Sequence, residues 1–399
     1  MNVIFLTLVG ISDISVLGIT TSLIRKFRDE GHKVYVVSPL ERRERKSTHI
    51  IKTEGVTILK VHTLNIKKAK LLEKGIGTLL IEEQYKWAIK AHFEGVVFDL
   101  ILYSTPPITF TSVVRFLKGK NPQATSYLLL KDIFPQNAVD IGIFSEKSLF
   151  WWYFRRKEKA LYKASDFIGC MSPENVNYVR EHNAFYPADH LDVAPNSIQL
   201  SIDHSCVINH IEVRGKYGLP TDKPIFIYGG NLGKPQGIDY IIRCMEINRD
   251  RDDCFFLIIG SGTEYVRLRT WYEDQKPHSV RLMSSLPKEE YMELTRCCDV
   301  GMIFLDHRFT IPNYPSRLLS YMENQIPIIC ATDVHTDVGR IAEQNGYGYW
   351  CESVRPDDFT VLVDKMLSSN RKQMGERGYQ FLKSHYLIEH TYQTIIKHL

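Results

Sequence analysis

A glycine-containing segment in the second half of the chain has the residue types expected of a diphosphate-binding loop. In residues 225–237 an apolar run gives way to Gly229 and Gly230, then to Lys234 and a helical pattern from about Pro235. Glycine lets the backbone turn with positive φ and approach a ligand closely, and free amides at a helix N-terminus bind anions. Lys234 would add a full charge. The alternative is an ordinary strand-to-helix turn, which also favours glycine.

Two later segments repeat the arrangement of an apolar strand followed by a polar loop. Residues 255–264 end an apolar run at Gly260 and Gly262, and residues 299–329 contain a strand, a long polar loop, a short helix and a further strand. An uninterrupted apolar run is typical of a strand buried on both faces of a parallel sheet. Because such strands direct their carboxyl ends to one edge, we expect these loops to converge on a ligand site.

In the first half, Asp132 follows the apolar run 124–130, with Lys131 before it and Pro135 after it. A carboxylate at the carboxyl end of a strand can accept a proton from a hydroxyl group or position that group. Aspartate is also a favoured N-cap, so the alternative is a structural cap on the next helix.

The composition predicts a globular protein of two domains. The 399 residues exceed one ordinary core, and the hydrophobic content of 44% and charged content of 24% are those of a globular chain. The sequence has no transmembrane run and no signal-peptide pattern, which favours the cytoplasm. Eight scattered cysteines without a C-x-x-C pair argue against zinc and disulfides. The net charge of +4 does not by itself indicate nucleic acid, but it permits attraction to an anionic membrane.

Apolar strands alternate with helical patterns along both halves, which predicts an α/β protein with doubly wound parallel sheets. Residues 197–223 are rich in polar residues, glycine and proline, as in a linker. We therefore predict domains at residues 1–200 and 201–375, followed by a helical segment at 376–399.

The order of these motifs resembles glycosyltransferase family 4, retaining enzymes with the GT-B fold, and in particular its capsule and O-antigen branch. The resemblance covers nearly the whole chain. It rests on the glycine turns, on Pro315-Ser316-Arg317 with Tyr321-Met322, on Pro327-Ile328-Ile329, on Gly31-His32-Lys33-Val34, and on Lys131-Asp132 with Pro135. The resemblance implies two Rossmann-like domains facing across a cleft. The N-terminal domain would bind the acceptor, the C-terminal domain the nucleotide sugar, and the C-terminal helix would cross back to the N-terminal domain.

The resemblance also implies site residues. Transfer from a nucleotide diphosphate sugar requires positive charge and oriented amides at the leaving diphosphate, and needs no metal or other cofactor. The implied catalytic residues are Asp132, Lys234 and Arg317, whose planar guanidinium can bind two phosphate oxygens. The implied donor-binding residues are Gly18, Gly229, Gly230, Asn231, Gly233, Gly260, Gly262, Asn313, Tyr314, Pro315, Ser316, Ser320 and Glu323.

The sequence departs from the family at one place. Family members commonly have glutamates where this chain has Pro312 and Ser320, the first touching the sugar and the second the ribose. Ser320 could still donate to a ribose, and Glu323 lies one helical turn on, facing nearly the same way. The loop at residues 306–313 would then hold the donor through backbone amides and through Asn313 or Tyr314.

Residues 148–163 place Trp151 and Trp152 beside Arg155 and Arg156. Aromatic rings next to cations suit the interface of an anionic membrane, which predicts a peripheral membrane contact. The alternative is a core-facing aromatic cluster with solvated charges.

The resemblance implies a retaining hexosyl- or N-acetylaminosugar transferase that uses a nucleotide-sugar donor, UDP-linked by expectation. The acceptor would be a lipid-linked or growing glycan of a bacterial capsule or O-antigen, and no nucleic acid would take part. The alternatives are a nucleotide-sugar-binding GT-B protein without transferase activity and an enzyme like a UDP-sugar 2-epimerase. The expected location is the cytoplasm or the inner face of the cytoplasmic membrane.

Overall fold

A computed structural model describes residues 1–66, 71–202, 204 and 208–399, and the side chains of residues 71–76, 78 and 79 lie outside the description. Residues 203 and 205–207 of the predicted linker are therefore not described. The chain divides into two compact units, one of Met1–Gln199 with Leu387–Leu399 and the other of Leu200–Tyr386.

The first unit is a sheet with helices. Its described strands are β1 (Asn2–Leu6), β2 (Lys33–Glu41), β3 (His49–Thr53), β4 (Val56–Thr63), β5 (Leu100–Ser104), β6 (Thr125–Leu130), β7 (Phe167–Cys170) and β8 (Leu191–Val193), in the order β3-β4-β2-β1-β5-β6-β7-β8. Its helices up to this point are α1 (Ile19–Asp29), α2 (Leu71–His92), α3 (Thr111–Lys120), α4 (Gln136–Asp140), α5 (Leu149–Tyr162) and α6 (Pro173–His182). The core is apolar and is built from the strands and α1.

The second unit repeats the architecture with six described strands. These are β9 (Ile225–Asn231), β10 (Phe255–Ser261), β11 (Val280–Ser284), β12 (Val300–Phe304), β13 (Ile328–Thr332) and β14 (Gly348–Glu352), all parallel, in the order β11-β10-β9-β12-β13-β14. Its helices are α7 (His210–Lys216), α8 (Ile238–Ile247), α9 (Tyr265–Gln275), α10 (Lys288–Arg296), α11 (Arg317–Glu323), α12 (Val338–Gln344), α13 (Pro356–Leu367) and α14 (Arg371–His385).

The predicted α/β class with parallel sheets is confirmed, with one correction at the edge of the first sheet. β3 pairs antiparallel with β4, and Thr53 faces Val56 across a two-residue turn. Both turn residues, Glu54 and Gly55, have positive φ, 43° and 78°. Such a turn joins twisted antiparallel strands, and it escaped the sequence analysis because Glu-Gly is a weaker hairpin signal than Asn-Gly.

The C-terminal segment is two helices rather than one. α14 belongs to the second unit, and α15 (Ile388–Ile396) returns to the first unit, where Ile388, Tyr392 and Ile395 join its core. Beyond α15, Lys397 Nζ and His398 Nε2 lie 2.6 and 2.7 Å from the two carboxylate oxygens of Asp192. Asp192, which is buried, therefore anchors the end of the chain to β8.

We predict that Asp192→Ala destabilises the first unit. Tyr127 Oη also donates to this carboxylate at 3.0 Å, so the change leaves several polar groups without their acceptor. Breaking a buried charged network of this kind costs about 3 kcal/mol. Urea denaturation measures the loss, and Asp189→Ala, which removes an exposed carboxylate close by in sequence, should change the free energy of unfolding little. Equal effects of the two substitutions would contradict the anchoring role.

Candidate donor site

A cavity of about 430 Å³ lies at the carboxyl ends of β9 and β10 in the second unit. The parallel register pairs Gly230 with Gly260 and Asn231 with Ser261, so both loops open at the same edge. This convergence is the geometry expected for ligand binding by an open α/β sheet. The cavity is lined by Gly229, Gly230, Asn231, Ile259, Gly260, Ser261, Ser285, Leu286, Tyr291, Arg317 and Ser320.

Gly229 and Gly230, at the end of β9, leave room for two large side chains. A Cβ on Gly229 would lie 2.0 Å from Tyr291 Oη, and one on Gly230 would lie 3.3 Å from Arg317 Nη2. Gly230 also has φ of 134°, a conformation that residues with a side chain rarely adopt. The turn therefore brings a bare backbone against the guanidinium of Arg317.

Arg317, the first residue of α11, is the cation that lines the cavity, and it is half-buried. Its guanidinium carbon lies 4.1 Å from the centroid of the Tyr228 ring, a cation–π contact. Its Nη1 atom is shut off from solvent and has no hydrogen-bond partner in the described part of the chain. Burial lowers the pKa of Arg317 and the phenols of Tyr228 and Tyr321 raise it, with a net upward shift, so the group stays charged. A charged guanidinium with one nitrogen shut off from water and unpaired favours an anion at this place.

Two tyrosines fix the turn beside this cation. The Gly229 N–H donates to Tyr321 Oη at 3.2 Å, and that hydroxyl donates to the Ile227 carbonyl at 3.1 Å. Tyr228 Oη donates to the Asn231 carbonyl at 2.7 Å, which holds the end of β9. Burial raises the pKa of both phenols, so they remain neutral hydrogen-bond donors.

The segment after β9 differs from the prediction of a helix beginning near Pro235. Residues Lys234–Gln236 form a single 3₁₀ turn, and α8 begins at Ile238 after Gly237, whose φ is 63°. Gln236 Oε1 accepts from Asn231 Nδ2 at 2.9 Å and from the Gly233 N–H at 3.1 Å. Gln236 therefore orders this loop internally. The side chain of Lys234 is exposed and does not line the cavity.

Gly262 permits close packing and does not line the cavity, and its predicted donor contact stays a prediction. A Cβ there would lie 2.3 Å from the Leu232 carbonyl oxygen, whereas Gly260 both lines the cavity and faces the Gly230 carbonyl. The Glu264 N–H donates to the same Leu232 carbonyl at 3.0 Å. Gly262 thus lets the two loops lie against each other.

The loop before α11 is fixed by contacts within the second unit. The Asn313 carbonyl accepts from Thr336 Oγ1, and Tyr314 Oη forms a hydrogen bond with Tyr386 Oη. The set Asn313, Tyr314, Pro315 and Ser316 does not line the cavity. Their predicted donor contacts therefore stay predictions.

Ser320 and Glu323, both on α11, differ in their surroundings. Ser320 lines the cavity, whereas Glu323 does not. Glu323 Oε1 accepts from the N–H groups of Ser201 and Ile202 and from Ser201 Oγ. This oxygen is therefore committed to the 201–202 segment, a contact that sequence spacing does not reveal. The donor contacts predicted for Ser320 and Glu323 stay predictions.

Asp132 and Gly18 belong to the first unit. Asp132 lies just after β6, where burial raises its pKa to about 6 while hydrogen bonds from Asn137 and the Ile133 amide lower it. α4 is capped at Pro135, so Asp132 is not its N-cap. Gly18 is the N-cap of α1 in extended backbone. Its predicted donor contact stays a prediction.

The predicted membrane residues lie on α5 and divide into two groups. Leu149, Phe150 and Trp152 are 86%, 67% and 57% exposed, and Arg156 lies over the Trp152 ring. Arg155 instead pairs with the buried Glu158 and donates to the His182 carbonyl at 2.7 Å. Trp151 is half-buried. Arg155 is therefore structural in the first unit, whereas Trp152 and Arg156 reach the surface.

Sequence analysis missed Ser285, Leu286 and Tyr291, which line the cavity, and Tyr228, which contacts Arg317. Tyr291 comes from α10, where it stands among charged residues with no glycine motif to single it out. An indirect signal was available, because two successive glycines at the end of β9 leave space for a large neighbour, and a Cβ on the first of them would meet Tyr291.

Residues 209–381 match the family described as Glycosyl transferases group 1. This match covers nearly all of the second unit and less than half of the chain. The chain is 21% identical over 328 residues to the Probable glycosyltransferase WbjE of Pseudomonas aeruginosa, covering 80% of this chain and 78% of that protein. It is 23% identical over 221 residues to the Putative teichuronic acid biosynthesis glycosyltransferase TuaC of Bacillus subtilis (strain 168), 51% of each chain.

Among solved structures, Anabaena HepE in complex with UDP is similar, with a TM-score of 0.70 and 12% identity over 100% of this chain and 99% of that one. The predicted resemblance to glycosyltransferases and the predicted GT-B fold are therefore confirmed. In the part of the chain that the structure describes, no helix is long and apolar enough to span a membrane.

We predict that Arg317→Met stabilises the second unit, because methionine removes a half-buried charge that pairs with no carboxylate of the described residues, without leaving a large cavity. The expected rise in the free energy of unfolding is about 1 kcal/mol. The contrasting variant is Arg214→Met. Arg214 is buried, pairs with Asp299 at 2.8 Å and donates to the Cys297 carbonyl, so its loss should cost about 3 kcal/mol. Chemical denaturation measures both, and similar losses for the two variants would show that Arg317 is satisfied within the fold.

Proposed function

We propose that this glycosyltransferase moves a sugar, with retention of anomeric configuration, from a UDP-sugar to a lipid-linked or growing glycan in bacterial surface polysaccharide synthesis. The observation that carries the donor half is the half-buried guanidinium of Arg317, whose Nη1 atom is shut off from solvent and unpaired, beside the bare backbone of Gly230. A nucleoside diphosphate supplies the anion that this arrangement lacks. The UDP bound by HepE supports the choice of nucleotide.

The proposed reaction requires the cavity to stabilise a leaving diphosphate. As the bond between the anomeric carbon and the β-phosphate oxygen breaks, negative charge grows on the diphosphate. A fixed guanidinium in a site of low dielectric favours that charge without reorganising. The guanidinium of Arg317 packs on the Tyr228 ring, so it is already oriented before the donor arrives. Lys234 is the second candidate cation, reaching the donor from its exposed turn.

The cavity also offers groups for the remainder of the donor. Ser320 lines it from α11, where its hydroxyl can take the ribose role of the usual glutamate. Tyr291 and Leu286 offer an apolar wall suited to a flat ring. These contacts form a working hypothesis for nucleotide recognition.

For the acceptor half, we assign Asp132 as the group that receives or orients the acceptor hydroxyl. Its carboxylate follows β6, as the donor loops follow β9 and β10. The pKa of about 6 gives a base that is charged at neutral pH yet holds a proton more strongly than an ordinary aspartate. The similarity to TuaC, a putative teichuronic acid biosynthesis glycosyltransferase, supports a cell-surface glycan as product.

The direct test is incubation of the purified chain with a panel of UDP-sugars and a polyprenyl diphosphate-linked sugar. Mass spectrometry should detect a new glycolipid, and NMR of its anomeric proton should give the configuration of the donor. Arg317→Ala should reduce donor binding or turnover roughly 10- to 150-fold, the equivalent of about 1.5–3 kcal/mol for a charge-assisted contact. An inverted product would refute retention, and unchanged kinetics would remove Arg317 from the site.

The rate of transfer should depend on pH through Asp132. Its folded pKa is raised, so the carboxylate is protonated below about pH 6 and charged above it. We therefore expect the rate at low acceptor concentration to rise as pH increases through about 6. Asp132→Asn should lower the rate and abolish this rise, while Asp189→Asn, an exposed control, should keep it. A pH profile identical in Asp132→Asn and the native protein would exclude Asp132 as the titrating group.

We also propose peripheral contact with an anionic membrane through the exposed start of α5. Leu149, Phe150 and Trp152 present apolar surface, and Arg156 adds a cation beside the indole ring. Rings and cations in this arrangement suit the headgroup region of a bilayer. Transfer to a lipid-linked acceptor would then take place at the membrane that holds this acceptor.

The membrane contact predicts a difference between acceptors. Leu149→Ala with Phe150→Ala should weaken binding to anionic vesicles and slow transfer to a long-chain acceptor, with transfer to a short soluble analogue nearly unchanged. The melting temperature should stay close to that of the native protein because both side chains are exposed. Phe154→Ala is the contrasting variant, since its ring packs 5.0 Å from Phe134 and its loss should lower the melting temperature. Equal loss on both acceptors in the double variant would contradict the membrane role.

A further inference from the structure

A second cavity, of about 470 Å³, lies in the first unit between α3 and one face of α5, bordered by Glu82 of α2. We call it the basic cavity. Its lining includes three cations, Arg115, Arg156 and Lys157, against a single carboxylate, Glu82. Neither Arg317 nor Asp132 lines it, whereas Trp152 and Arg156, which are proposed above for the membrane contact, do.

The one carboxylate is already occupied. Glu82 Oε1 accepts the Ser112 N–H at 2.6 Å, near the N-terminus of α3, and its other oxygen lies 3.7 Å from Lys157 Nζ. No carboxylate of the described residues pairs with Arg115 or Arg156. The basic cavity therefore keeps an excess of positive charge.

A buried polar atom points to a missing ligand. Thr111, the first residue of α3, is 6% exposed, and its Oγ1 has no hydrogen-bond partner in the described part of the chain. The same residue lines the basic cavity. A hydroxyl left without a partner in a protein interior costs free energy unless a ligand or water satisfies it. An acceptor oxygen in the cavity would satisfy Thr111 and the two arginines together.

The rings of the cavity also favour an anion. Arg156 lies 5.6 Å from the Trp152 ring centroid and Lys157 lies 5.8 Å from that of Tyr153. These contacts fix the cations along the α5 face and cover the rings that a neutral sugar would use for stacking.

We propose that the basic cavity binds the phosphoryl groups of a phosphate or diphosphate ester. Oxygen atoms of such an ester accept from Arg115, Arg156 and Thr111, and the planar guanidinium groups match phosphate geometry. Leu149 lies on the same helical face as Trp152 and Arg156, at the exposed N-terminal end of α5. That placement favours an ester that carries an apolar chain, as in a lipid-linked acceptor. Only this choice of ester rests on the proposed function, because phosphoryl binding requires no transfer.

The test is calorimetric titration of the full chain with inorganic diphosphate, in the Arg317→Met background so that the donor cavity contributes less. Diphosphate should bind, and Arg115→Gln with Arg156→Gln should weaken it at least about 10-fold. Thr111→Val, which keeps the shape and removes the hydroxyl, should weaken it roughly 5-fold. Arg180→Gln, at an exposed arginine of α6, controls for the loss of a surface charge and should stay within about 2-fold. Far-ultraviolet circular dichroism verifies that each variant is folded.

No measurable diphosphate binding, or the same affinity in the double variant and the Arg180→Gln control, would overturn the proposal. Vesicles distinguish the sources of the ester. If binding to phosphatidylcholine vesicles carrying polyprenyl diphosphate falls in the same variants, the ligand is the lipid-linked ester. If only soluble diphosphate responds to them, the ligand is a soluble ester. If the arginine variants weaken binding to polyprenyl diphosphate and phosphatidylglycerol vesicles alike, and Thr111→Val changes nothing, the cations form an unspecific surface and the cavity site is refuted.

Discussion

The guanidinium of Arg317 is the charge around which the second unit is organised. It lies beneath a turn with no side chains, against the face of Tyr228, and no carboxylate of the described residues neutralises it. Such an arrangement lowers the stability of the fold, since a cation that is partly removed from water without a partner is unfavourable. The glycines, the two tyrosines that hold the turn, and the packing of Gly260 against Gly230 all follow from the need to keep that cation in place and open to a ligand.

The same constraint explains why the site lies at the edge of a parallel sheet. β9 and β10 are buried on both faces and end in register, so their loops emerge side by side. The strands are held in place because they form the core, and the loops are anchored at the ends of these strands. A cavity made this way can hold an anion in one orientation, as a group that stabilises a transition state must.

Much of this arrangement could be read from the sequence, and the limits are physical. Strand 225–231 and Gly230 were predictable because apolar runs and successive glycines report burial and backbone shape locally. Arg317 followed from a family resemblance, but its burial did not, because it depends on Tyr228. Tyr291 and the partners of Glu323 could not be foreseen, since they reach the site from distant segments through tertiary packing alone. The β3 hairpin was missed for a local reason, a turn of an uncommon residue pair.

In the first unit, the sequence indicated Asp132 as a candidate site residue but not the surroundings that change the pKa of its carboxyl group. Burial, which raises its pKa to about 6, comes from elements separated in the chain. The aromatic and basic run of α5 was visible, whereas its division into the buried partner Arg155 and the exposed Arg156 was not. In both units, residue types indicated candidate chemistry and packing decided which side chains were free to perform it.

The measurement that tests the central claim most directly is the difference in binding free energy between UDP and UMP in the native protein and in Arg317→Ala. If Arg317 holds the diphosphate, UDP should bind at least about 10-fold more tightly than UMP to the native protein. Most of that advantage should disappear in the variant. An advantage of the same size in both proteins would contradict the account, because the second phosphate would then owe nothing to Arg317.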